Sequence, residues 1–135
     1  MAKNLIEESR RYVDNARTVL RDKAKLDVES NRYEDEKYVR SAGHYLWHAI
    51  LLALDAVFKV RDDRRTRVNI DDYLKAIGKR DRKLLAWVNS GYNIAHLYMG
   101  YDGELSKGVS DDGIRVVNDI INRCEGMVAV SKKKD

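Results

Sequence analysis

The chain has 135 residues, 44% hydrophobic and 36% charged, which is enough for one core and too charged for a membrane protein. Its formal charge of +4 permits only weak attraction to nucleic acid, and its single cysteine excludes an intrachain disulfide and a usual zinc site. Proline is absent and glycine sparse, and no run alternates polar with β-branched residues, so the chain reads as all-α.

In chain order, a first amphipathic helix is expected from about Lys3 to about Lys23. Leu5, Ser9, Tyr12, Ala16, Val19 and Leu20 mark its apolar face, with Ile6 and Val13 beside it. Leu26 to Tyr33 breaks the period and suits a loop. A second helix is expected from near Glu34 to about Val60. It is apolar nearly all round, which places it centrally. Its polar residues Lys37, Ser41, His44, His48, Asp55 and Lys59 stay within an arc of roughly 60° at 100° per residue. Gly43 costs about 1 kcal/mol relative to alanine inside a helix, so a close neighbour is expected there.

Asp62 to Asn69 reads as a charged loop, with a basic cluster at Arg61, Arg64, Arg65 and Arg67. Ile70 to Ile77 makes a short helix ended by Gly78. A third long helix is expected from about Asp81 to Tyr101, followed by the turn Tyr101-Asp102-Gly103. Its polar residues Asn89, Asn93 and His96 fall at i, i+4 and i+7, on one line. The loop is expected to continue to Val109. Ser110 is the expected N-cap of a last helix that buries Ile114, Val117, Ile120, Ile121, Cys124 and Val128 and frays near Val130. Cys124 reads as a buried inert thiol. The expected architecture is an antiparallel four-helix bundle with one additional short helix. It forms a single domain over residues 1–131, with a basic tail over 132–135.

The three histidines all fall on the two polar lines. If the lines meet, they form a structural hydrogen-bond network, a proton-transfer site, or a metal or small-ligand site built on His44, His48 and His96. No glutamate lies on the lines, and neither a phosphate-binding glycine loop nor a nucleophile with its base can be assembled, so no metal or cofactor is assigned. No apolar run reaches membrane-span length and the N-terminus has no apolar signal core, so a cytoplasmic location is expected.

The segments Tyr38-Val39-Arg40-Ser41-Ala42-Gly43-His44-Tyr45 and Tyr92-Asn93-Ile94-Ala95-His96-Leu97-Tyr98-Met99-Gly100-Tyr101-Asp102-Gly103 resemble the HEPN superfamily, in particular small bacterial HEPN-like proteins of unassigned function. The resemblance extends over about residues 3 to 130. It implies a helical bundle that pairs as a homodimer. It also implies either metal-independent ribonuclease activity, in some members as a toxin with a nucleotidyltransferase-like partner, or a binding module that has lost activity. Active members carry an arginine separated from a following histidine by four to six intervening residues. The resemblance makes His96 that histidine, but Asn89, Ser90 and Gly91 occupy the arginine positions. Asn89 can donate a hydrogen bond but brings no charge to a transition state that gains from one. Whether the chain is an enzyme is left open by this departure. The leading expectation is a non-catalytic or divergent module that binds a nucleotide, RNA or a partner protein. His44, His48, Asn93, Arg40 and Tyr98 are its candidate binding residues. The second expectation is a ribonuclease using His96, with Asn89 beside it and Arg40 or Lys37 as substitute cation; the third is a metal or small-ligand binder.

Overall fold

The computed structural model describes residues 2–60 and 69–134. The basic cluster of Arg61, Arg64, Arg65 and Arg67 lies outside the described residues. Among the described residues there are five α-helices and one two-stranded sheet, so the all-α expectation holds. No helix among them is long and apolar enough to cross a membrane.

Helix α1 (Ala2–Val19) buries Ile6, Ser9, Val13 and Ala16, at the three- and four-residue spacing of an amphipathic helix. It then widens into a π-helical turn over Leu20–Ala24, closed by Lys25, whose N–H donates to Leu20 O at 3.1 Å. Lys25 lies at φ +56°, a left-handed conformation that stops the helix. The expected loop that follows is a small antiparallel hairpin. Strand β1 (Leu26–Asp27) pairs with β2 (Arg32–Tyr33), and Asn31 turns the chain at φ +58°. Tyr33 N–H donates to Leu105 O at 2.8 Å, which ties the hairpin to the start of the last helix. Two residues per strand leave no room for a visible alternation of polarity.

Helix α2 (Glu36–Asp55) starts at Asp35, whose carboxylate accepts from Lys37 N–H at 3.0 Å. It ends about five residues earlier than expected, with Phe58 buried after it. Val39, Ala42, Leu46, Ala49, Ile50, Ala53 and Leu54 are fully enclosed and form the middle of the core. Helix α3 (Ile70–Gly78) packs on helix α4 (Arg82–Gly91) and is capped by Asn69. Asp81 caps α4 by accepting from Leu84 N–H at 3.0 Å. Helix α4 passes into a second π-helical run, Tyr92–Tyr101, closed by Gly103 at φ +66°.

Helix α5 (Lys107–Lys134) begins earlier than the Ser110 cap implied and continues past Val130 into the lysines. The Glu104 carboxylate takes the capping role instead, accepting from Ser106 N–H at 3.1 Å, and Ser110 is buried inside the helix. Helix α2 runs antiparallel to α4 and the π-helical run, and α5 runs antiparallel to these and to α1. Gly43, Trp47 and Ile50 of α2 meet Gly100, His96 and Gly91 in reverse order. Gly113 and Ile120 of α5 likewise meet Met99 and Gly91. Arg10 of α1 reaches Glu125 of α5 at 3.0 Å, while Arg17 shares a cavity with Asp111.

Candidate functional site

The closest approach between helices lies at Gly43 and Gly100. A Cβ placed on Gly43 would stand 2.5 Å from Gly100 N and 2.6 Å from Ala95 O. The α2 backbone therefore rests directly on the π-helical run, as the glycine inside α2 suggested. The same approach brings two faces of side chains together. His44 lies against Gly100, with its Nδ1 and Cε1 each 3.5 Å from the position a Cβ there would take.

One turn further along, Trp47 meets Tyr92 at 5.3 Å and His96 at 5.4 Å between ring centroids. Tyr92 and His96 are 5.1 Å apart. All three rings are half-buried, and His44 beside them is exposed. These separations fall in the range of favourable aromatic pairing. The result is a ring cluster at the protein surface with solvent over its outer edge.

His96 is the chemically distinct member. Its Nδ1 is shut off from solvent and makes no hydrogen bond among the described residues. Leaving such a group unpaired costs about 1–3 kcal/mol. Burial, and then the charge of His44, hold the His96 imidazole below its ordinary pKa. At neutral pH it is therefore the neutral ring, with one donor and one acceptor nitrogen.

The other expected site residues are distributed more widely. Arg40 is exposed, pairs with Glu36 at 3.6 Å, and lies over the Gly103 turn, its Nε 2.8 Å from where a Cβ would be. Tyr98 is 48% exposed and projects near the same end of the π-helical run. His48 turns the other way: its ring lies 4.5 Å from Tyr12 of α1, beside a polar cavity of about 550 Å³ that Tyr12 and Tyr45 help to line. Asp55 accepts a hydrogen bond from Tyr73 of α3, a structural tie at the far end of α2. Asn89 and Asn93 are exposed.

The two polar lines are thus not a buried seam. His44 lies against Gly100, near enough to His96 for its charge to be felt there, whereas His48 and Asp55 face other neighbours and Asn89 and Asn93 are exposed. Successive i, i+4 positions rotate by about 40° around a helix. Because α2 presents only a narrow strip to solvent between α1 and the π-helical run, that rotation carries His44 and His48 to opposite neighbours. The π geometry adds a residue per turn and breaks the spacing assumed for Asn89, Asn93 and His96. The three histidines do not gather into a metal site, and no group of three or more potential ligand side chains does so among the described residues.

Trp47 and Tyr92, neither of them an expected site residue, also belong to this face. Their signal was present: Trp47 is three residues after His44, and Tyr92 is four before His96. Aromatic residues at helical spacing look the same whether they fill a core or edge a surface cluster.

Fold and site together define an all-helical chain with an imidazole and aromatic cluster facing solvent where α2 crosses a π-helical run. The chain belongs to the family described as a domain of unknown function (DUF5618), whose model matches residues 4–126. It is similar to a solved structure of a protein of unknown function from Dyadobacter fermentans, with 33% identity and a TM-score of 0.82. That similarity covers 93% of this chain and 96% of the other. No curated protein matches the chain.

Proposed function

We propose that this chain is a HEPN-like, non-catalytic binding module that holds single-stranded RNA on the face formed by His44, Trp47, Tyr92 and His96. The observation that carries the reading is the half-buried ring cluster bordered by exposed His44 and, one turn earlier on α2, Arg40. Bases stack on such rings with about 1–3 kcal/mol each, without needing sequence recognition. The exposed Lys37, and Arg40 in exchange for its exposed 3.6 Å pair with Glu36, supply cations for phosphate on the same helix. Their number is small, so binding is weak and strongly salt-dependent.

Anisotropy titration with a labelled oligouridylate at low salt tests this. Wild type is expected to bind, and His44→Ala and Arg40→Gln are each expected to weaken binding severalfold. Both positions are exposed, so the variants keep the fold. Absence of binding by the wild type, or binding by both variants as tight as that of the wild type, overturns the proposal.

A second reading is favoured by the proximity of His44 to a neutral His96. Two neighbouring imidazoles can divide the roles of acid and base. In this reading two copies of the chain pair, and Arg40 or Lys37 replaces the missing arginine. RNA cleavage that survives a chelator and disappears in His96→Ala would favour it over simple binding.

A further inference from the structure

A second feature lies away from the ring face, where the π-helical end of α1, the hairpin and the first turns of α5 meet. They surround an open cavity of about 410 Å³, within the range of about 300–1,000 Å³ usual for small-molecule sites. Its floor is apolar: Leu20 and Tyr33 are buried, and Leu26 and Ile114 are half-buried. The cavity is shaped by irregular backbone. The π-helical turn Leu20–Ala24 displaces the chain, and Lys25 at φ +56° swings it into the hairpin. Both features are costly, and both recur at functional sites.

The rim is polar and its charge can be accounted for residue by residue. Arg21 is neutralised by Asp22 at 2.8 Å, and Lys107 by Asp111 at 2.6 Å. Arg17 has no ion pair among the described residues, which leaves one uncompensated positive charge beside an apolar floor. The Tyr33 hydroxyl makes no hydrogen bond among the described residues. Burial, and then the charge of Asp111, raise its pKa, so it remains a proton donor near neutral pH.

We propose that this cavity binds a small monocarboxylic acid with an apolar body, its chain on Leu20, Leu26 and Ile114 and its carboxylate on Arg17. Charge selects the class. A neutral apolar molecule leaves Arg17 unmatched, and a dianionic phosphate ester meets only one free cation and is repelled by Asp111. A planar guanidinium pairs well with a single carboxylate. This site is separate from the ring face and does not depend on the RNA-binding reading.

Octanoate is a suitable probe, compared with octan-1-ol and octyl phosphate, by amide chemical-shift titration of the full chain. Octanoate is expected to shift the amides of Leu26, Tyr33 and Ile114 saturably. Arg17→Gln is expected to weaken it about tenfold, the loss of one charge-assisted hydrogen-bonded pair. Arg17 is exposed, so this variant keeps the fold, and Leu26→Asp provides a second test by placing a like charge on the floor. Octan-1-ol is expected to bind more weakly. The proposal is overturned if shifts are not saturable, if they centre on the ring face, if Arg17→Gln and Leu26→Asp bind as wild type does, or if octyl phosphate binds more tightly than octanoate.

Discussion

Replacing Gly43 by alanine tests the crossing on which the ring face depends. In a helix interior this change ordinarily stabilises by about 1 kcal/mol. Here the new methyl would lie 2.5 Å from Gly100 N, 2.6 Å from Ala95 O and 2.7 Å from Met99 Cβ. Carbon atoms in good contact sit about 3.5–4.0 Å apart, so the helices would have to separate by about 1 Å. Two of the three atoms are backbone, and Cβ of Met99 moves only with it, so no rotamer change relieves the clash. Overpacking costs about 1–3 kcal/mol, and this geometry belongs at the upper end. Subtracting the propensity gain leaves a loss of about 2 kcal/mol. At about 4 °C per kcal/mol for a chain of this size, Tm should fall by about 8 °C.

Gly126→Ala is the matched control. A Cβ there meets nothing within 4 Å, so the propensity gain is uncancelled and Tm should rise by up to about 4 °C. Thermal unfolding followed by circular dichroism measures both. A Gly43→Ala protein that melts at or above the wild-type temperature would refute the close crossing. So would equal shifts in the two variants.

Three other outcomes follow from the side chains. His96 should titrate below the ordinary imidazole value in an NMR pH series, and His44→Ala should move it upward, since burial and then His44 lower it. Because the unfolded chain then binds the proton more readily, stability should decline as pH drops through about 6.5 and below, and His96→Gln should flatten that decline. Asp81→Ala removes both the α4 cap and the 2.6 Å bond from Arg123 Nε, and should cost about 2 kcal/mol in urea denaturation; Arg123→Ala, which spares the cap, should cost less. The Cys124 thiol is buried and pushed up to about 12, so a disulfide reagent at pH 8 should react only in denaturant; reaction of the native protein would contradict its placement.

Much of the helical layout was readable because it is written in local terms. The 3.6-residue period of α1, the Asn69 and Gly78 boundaries of α3, and the Asp102-Gly103 turn all depend on residues close together in the chain. The misreadings have equally local causes. Ser110 looked like a cap, but Glu104 reaches Ser106 N–H first, and α5 starts a turn earlier. The hairpin at 26–33 escaped notice because its strands hold two residues each and are secured by the distant Leu105 carbonyl.

Order and polarity of residues were sufficient for an all-α chain, for most of the buried side of α5, and for a close neighbour at Gly43, while the buried side of α1 is centred on Ile6 and Val13 rather than on Leu5 and Tyr12. Order and polarity also singled out His44 and His96. Packing alone decided which polar residues share a place. Two π-helical runs change the residue count per turn, and α2 lies between two neighbours with only a strip left open. His44 therefore meets Gly100 of the π-helical run, His48 meets Tyr12, and Asp55 meets Tyr73. A periodicity measured along one helix carries no information about which partner lies across from it, and for this protein that partner determines whether a histidine belongs to a site.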